Sequence, residues 1–357
     1  MMTLHKQYYP SSTVSSRYGI THKTIHAQGK LKALRSKNKE SEQENLSIKQ
    51  KVLNAKNLLK NAYSNMHNLM VSVTRGENIL LEDVKEISNS IRHAVLVNKD
   101  AILYSSREKK PGQYTPMRSI SFCALLTNFA YYMGYSRQEL GEIALGGLLH
   151  DIGKMWVSQH LIHKTGKLSQ AEFACLKDHV QYSELIMQGL RLNSQLIQDI
   201  VTNHHERIDG SGYPKGLKGK ELSKISQMAM IVDVYDALTS ERSYKLTLEP
   251  FQALHYLGFK CKNKFNKTLL QHFIKSIGLY PMGSIVKMPS QMVGIVVGQT
   301  DSLLNPTIKL FYDFKNKRYI SPINIDATSS NNESTDKAPL ISLSRAFFSS
   351  RRLQSLL

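Results

Sequence analysis

Between residues 117 and about 275 the chain repeats apolar side chains at steps of three and four, segment after segment, with almost no strand-like alternation. The segments read ISFCALLTNFAYYMG, RQELGEIALGGLLHDIGK, SQAEFACLKDHVQYSELIMQGL, SQLIQDIVTNHHE and SKISQMAMIVDVYDALTSE. Such a run folds as packed helices. His150 and Asp151 close one apolar helix, His179 follows on the next, His204 and His205 end the one after, and Asp233 lies within MAMIVDVYDAL. A lone carboxylate on that apolar face is costly unless something pairs with it. Six potential ligands on four helices point to a metal site. Imidazoles and carboxylates without cysteine favour iron, manganese, nickel or zinc over a Cys-rich structural zinc site. Two ions sharing a carboxylate suit phosphate-ester hydrolysis: one activates water for in-line attack, and the other helps balance charge on the phosphoryl oxygens.

The remainder of the 357 residues divides by texture. Residues 1–48 form a basic arm rich in Ser, Lys, Gln and Asn, and 49–110 form an N-terminal helical region. There Val52, Ala55, Leu59, Ala62, Met66 and Leu69 draw one apolar seam, open to two readings: a homodimer contact through residues 52–70, or packing within its own domain. PGQYTP at 111–116 breaks the pattern and opens the main domain, taken as 111–280. Short β-branched runs mark a small β extension over 281–326. Residues 327–357 then read as a polar linker and a basic tail, either an amphipathic surface helix or a segment docked on the domain.

Composition excludes several classes. With 41% hydrophobic and 21% charged residues the chain is neither wholly disordered nor fibrous. Cys123, Cys175 and Cys261 lie far apart with no CxxC pair, which predicts reduced thiols. No apolar run is long enough for a transmembrane segment and the start lacks a signal peptide, so the expectation is cytoplasmic. A net charge of +19 favours a polyanionic partner. The basic residues are spread over arm, core and tail without a helix-turn-helix, so no specific nucleic acid is expected.

The order HDIGK, isolated His, HHE, DGSGYP and DVYDALTSERSYK resembles the HD-GYP family of cyclic di-GMP phosphodiesterases. The likeness runs over about residues 113 to 290, and HHERIDGSGYPKGLKGKEL is its most specific stretch. It implies a mainly α fold: an HD-domain helical bundle, here with N-terminal helices and a small C-terminal β appendage. Carried over, it makes His150, Asp151, His179, His204, His205 and Asp233 the ligands of two divalent ions, iron or manganese before nickel or zinc, with Asp151 bridging. Lys154 matches a lysine that reaches the substrate phosphate or assists the leaving group, and Arg242 and Lys245 match a phosphate-contacting pair. Gly210, Gly212, Tyr213 and Pro214 form the loop that names the family and contributes to substrate and partner contacts. The implied function is hydrolysis of cyclic di-GMP to pGpG and/or GMP, with GGDEF-domain proteins as partners.

One position departs from the family. Where it carries a further His before the HD pair, this chain has Arg118, and Tyr114 replaces an acidic residue found one turn earlier in some members, which argues against a third ion. On the family pattern one ion keeps Asp151, His179, His204 and His205, while the other is left with His150, Asp151 and Asp233 and binds more weakly. Either water replaces the missing imidazole, or Arg118 repels the second cation and turns its own charge on a phosphate. The rival function is a catalytically impaired module that senses cyclic di-GMP or docks a GGDEF partner. Hydrolysis of another cyclic nucleotide is a third reading.

Overall fold

Apolar stripes with capped starts determine where each helix runs. In a computed structural model, which describes residues 47–108, 114–240, 247–300, 302–326 and 340–357, Ser47 Oγ accepts from Gln50 N at 3.2 Å and begins α1, Ile48–Thr74. The seam from Val52 to Leu69 is buried in the chain itself, against α2, Leu81–Arg107, and against α3, Tyr114–Tyr132. The seam is thus covered by its own domain, the second of the two readings. Helix α2 bends at Asn98, and the Asn98 side chain accepts from Ala101 N at 3.1 Å to restart it.

Helix α3 is the centre of the bundle. Ile120, Phe122, Cys123, Ala124, Leu126, Phe129 and Ala130 are buried around its circumference, as suits a helix with neighbours on every side. Those neighbours are α1, α2, α4 (Arg137–Leu149), and two later helices. A capping box between Ser136 and Glu139 starts α4, and Gly147 lets it close on α3, since a Cβ there would lie 3.1 Å from Cys123 Cα. A 3-10 turn, Ile152–Trp156, follows, then α5 (Gln159–Ile162), α6 (Gln170–Lys177), α7 (His179–Gly189) and α8 (Gln195–Asn203). Helices α9 (Lys224–Thr239), α10 (Pro250–Phe259) and α11 (Lys267–Ile277) complete the bundle, α9 and α11 both packing on α3.

The β appendage is one antiparallel sheet in the order β4-β3-β2-β1-β5. Its strands are β1 Ile285–Lys287, β2 Met292–Gly298, β3 Thr307–Asp313, β4 Arg318–Asp326 and β5 Ile341–Leu343. Ile285 faces Ile295 on one side and Leu343 on the other. The sheet thus takes its edge strand β5 from the segment expected to be tail. The closing helix α12, Ser350–Leu356, buries Leu353, Leu356 and Leu357, and Lys309 Nζ donates to Leu356 O at 2.5 Å, so the tail docks on the sheet. Arg345 N donates to Glu249 Oε1 at 2.8 Å and ties this segment back to α10. The basic arm through residue 46, the linker 327–339 and the pair Arg242 and Lys245 lie outside the described residues.

Candidate metal centre

Three histidines are aimed by the same device. His150 Nδ1 lies 2.8 Å from Gly147 O, His179 Nδ1 lies 2.6 Å from Leu176 O, and His204 Nδ1 lies 3.0 Å from Val201 O. A carbonyl only accepts, so each Nδ1 carries the proton and each Nε2 presents a lone pair. His179 Nε2 and His204 Nε2 stand 3.2 and 3.6 Å from Asp151 Oδ1. All three of these atoms are buried and without a hydrogen-bond partner. Acceptors facing an acceptor in a buried pocket repel, and a cation between them removes the conflict. With His205, ligand atoms of Asp151, His179 and His204 form a group lying within 4.8 Å of one another, which fits one divalent ion.

The electrostatics keep these donors in their metal-binding forms. Burial lowers His150 to about 4 and pulls His179 below the ordinary histidine range. Burial, with His204 alongside, holds His205 well below that range too. Burial alone would raise Asp151, but the Lys154 ammonium beside it more than offsets this and holds the carboxyl well below the usual range. Lys154 Nζ donates to Asp151 Oδ2 at 2.5 Å, and burial lowers the lysine pKa against the pull of Asp151.

The two oxygens of Asp151 have different neighbours. Oδ1 faces His179 and His204, whereas Oδ2 meets Lys154, His150 Nε2 at 3.2 Å and Arg118 Nε at 2.9 Å. Arg118, 3% exposed, also donates through Nη2 to Asp233 Oδ1 and through Nη1 to Asp236 Oδ2 at 3.3 Å. Burial would raise Asp233, but His205 and Arg118 hold it well below the carboxylate range. Asp233 Oδ2 lies 3.1 Å from His205 Nδ1. Thus Asp233 orients a histidine and binds a guanidinium.

Local packing fixes this geometry. Ser183 Oγ on α7 accepts from Gly153 N at 2.8 Å and donates to His150 O at 3.1 Å, joining the HD turn to the helix that begins with His179. A Cβ on Gly153 would fall 2.2 Å from His179 O, so only glycine permits this approach. Trp156 Nε1 donates to Val73 O at 2.9 Å and anchors the same turn to α1.

The loop from Gly210 to Pro214 hangs on Glu206. Its buried carboxylate accepts from Lys215 N at 2.7 Å, Gly216 N at 3.1 Å and Leu217 N at 3.1 Å, and Tyr213 N donates to His205 O at 3.2 Å. A Cβ on Gly212 would lie 2.3 Å from Glu206 Cα, so the loop lies directly on the HHE backbone. The Tyr213 ring then stands 4.6 Å from that of His205, and burial pushes its hydroxyl pKa up. Arg118, Lys154, His179, His205, Tyr213 and Asp233 all border one cavity of about 430 Å³, which Arg207, Tyr256, Lys264 and Phe265 also line.

The structure therefore brings together His150, Asp151, Lys154, His179, His204, His205, Tyr213 and Asp233. Sequence reasoning missed Asp236, Glu206 and Arg207. Asp236 carried a usable signal, since it falls three residues after Asp233 on one helix face.

The HD domain family model matches residues 94–269. The chain is 32% identical over 273 residues to cyclic di-GMP phosphodiesterase PA4108 of Pseudomonas aeruginosa, covering 76% of this chain and 66% of that protein. It is 28% identical over 192 residues to 3'3'-cGAMP-specific phosphodiesterase 1 of Vibrio cholerae, covering 54% of this chain and 44% of that protein. The fold superposes on Bd1817, a HDG"Y"P protein from Bdellovibrio bacteriovorus, with TM-score 0.52 and 18% identity, over 65% of this chain and 72% of that one. With the His and Asp cluster, the DGSGYP loop and these likenesses in one molecule, the chain belongs to the HD-GYP group of the HD domain family.

Proposed function

We propose that the protein is a divalent-metal-dependent phosphodiesterase that opens cyclic di-GMP to pGpG and onward to GMP. The observation that carries this reading is the convergence of His179 Nε2, His204 Nε2 and Asp151 Oδ1, buried and without donors, beside a cavity that His179 and His205 border. The relatives' names support the substrate class, since PA4108 is named for cyclic di-GMP and the Vibrio protein for 3'3'-cGAMP. Iron or manganese suits the nitrogen-rich donor set with one carboxylate, ahead of nickel or zinc. When bound, the ion supplies Lewis acidity and lowers the pKa of a coordinated water to near neutrality.

The chain's own residues do the rest. Asp151 holds the floor of the site through Oδ1 and anchors two cations through Oδ2. Lys154, with its pKa lowered by burial, borders the cavity where a phosphate would sit, and it serves as a charge partner or gives its proton to the departing oxygen. Tyr213 offers an aromatic wall, and Arg207 and Lys264 at the mouth draw in the anion. Arg242 and Lys245 belong to this proposal as further phosphate contacts. The exposed Ser211, Pro214 and Lys215 are the face proposed for a GGDEF-domain partner. No helix among the described residues is long and apolar enough to cross a membrane, and a cytoplasmic setting is part of the proposal.

The test is chromatography of cyclic di-GMP incubated with metal-loaded protein, with Asp151→Ala as control and 3'3'-cGAMP as a competing substrate. Linear product from the wild type alone supports the proposal, and faster turnover of 3'3'-cGAMP would shift the substrate. A second reading has one observation in its favour, the guanidinium of Arg118 between Asp151 and Asp233. Tight binding of cyclic di-GMP with no product would make the protein a sensor.

A further inference from the structure

We infer that the centre is mononuclear and that Arg118 is its permanent second cation. This rests on the metal-dependent reading above and deepens it. On the family pattern, a second ion would take His150, Asp151 and Asp233. In this chain Asp151 Oδ2 receives Arg118 Nε at 2.9 Å and Lys154 Nζ at 2.5 Å, and Asp233 Oδ1 receives Arg118 Nη2. The oxygens that a second ion needs therefore already accept from nitrogen donors. The first site is not touched, because Arg118 donates no hydrogen bond to Asp151 Oδ1, His179 Nε2 or His204 Nε2.

Arg118 is built in rather than adventitious. Three nitrogens meet three carboxylates, on Asp151, Asp233 and Asp236, and all four residues are buried. Asp236 is itself held by Ser121 Oγ, which donates to its Oδ1 at 2.5 Å from one turn beyond Arg118 on α3. Displacing the guanidinium would strand a charge on each side of the pocket, whereas a water ligand leaves without such a penalty.

Charge balance agrees. Asp151, Asp233 and Asp236 carry three negative charges, and Arg118, Lys154 and Arg207, the last 3.7 Å from Asp233 Oδ2, carry three positive ones. One divalent ion leaves two positive charges, which match a ligand with two phosphodiester groups. A second ion would leave four among buried side chains.

The experiment counts ions without using turnover. Metal-free protein is titrated with Mn(II), and bound ion is read by electron paramagnetic resonance and by elemental analysis after desalting, with Asp151→Ala as the background. The expected counts are one ion per chain for the wild type, one for Arg118→Lys and two for Arg118→His. Two ions in the wild type, or one in a folded Arg118→His, would overturn the inference while leaving the phosphodiesterase reading intact. No ion in the wild type would sink both. Should Arg118→His fail to fold, the wild-type count decides alone.

Discussion

Asp236 lies one helical turn beyond Asp233 on α9, and the two carboxylates close on the same guanidinium, that of Arg118. The pair converts an α-helical face that should be wholly apolar into half of a buried ion network. Asp236 holds Arg118 Nη1 and Ser121 Oγ, which makes it a structural support for the centre.

Asp236→Ala should therefore destabilise the fold by about 3 to 5 kcal/mol, the usual cost of removing one partner from a buried ion pair. Urea unfolding of the metal-free protein measures this. A loss under about 1 kcal/mol would mean that the network contributes no more than a surface pair.

Asp151→Asn should abolish stable metal binding, since it removes the only carboxylate of the floor cluster and leaves Arg118 and Lys154 short of a counter-charge. Calorimetry with Mn(II) should show affinity down at least ~100-fold. Retained affinity would place the ion elsewhere.

Glu206→Ala should detach the Gly210–Pro214 loop from the HHE segment by removing the acceptor of three amides. About 2 to 3 kcal/mol of stability should go with it. KM for the cyclic dinucleotide should rise about tenfold, near 1.4 kcal/mol, while the metal count stays unchanged. A fall in metal content with unchanged KM would show that Glu206 supports the histidines rather than the loop.

Acid should weaken the metal-free fold in a defined window. Burial takes His150 from 6.5 in the unfolded chain to about 4 when folded, so between those values the unfolded state binds a proton that the native state refuses. Stability is fully present above pH 6.5 and is lost as pH falls towards 4, by roughly 3 kcal/mol from this residue. His179 and His205 shift in the same direction. Thermal melts from pH 8 to pH 4 should show the decline, and His150→Gln should flatten it. A melting temperature constant across that range would rule out a neutral buried His150.

Gly153→Ala should be among the most damaging small substitutions, because the new methyl would meet the α7 backbone at His179 O and Ser183 N. A loss of about 3 kcal/mol or more is expected, read from chemical unfolding. A neutral effect would show that α7 can slide away from the HD turn.

Much of the site could be read from the chain because its ligands fall at helix ends and their order is local. Asp233 stood out as a carboxylate on an apolar helix, and it does meet cations, Arg118 and Arg207. Asp236 has the same character three residues on but escaped notice, because its partner comes from α3 and only tertiary packing pairs them. The departure at Arg118 was visible, yet its direction was not: a side chain that long reaches several places, and the three carboxylates select one. The apolar seam of α1 foretold a partner helix but not whose, and α2 of the same chain proved to be it. Strand β5 was too short to show an alternation, and it pairs with β1 from beyond a long polar stretch.

Three amides on one buried carboxylate have a kinetic meaning as well. To swing away from the cavity, the loop bearing Tyr213 would have to strip Glu206 of all its donors at once and leave a bare charge among buried atoms. The loop's conformational entropy is surrendered once, when the chain folds, instead of at every catalytic cycle. It is a fixed wall and not a lid, so substrate meets a surface already shaped to receive it.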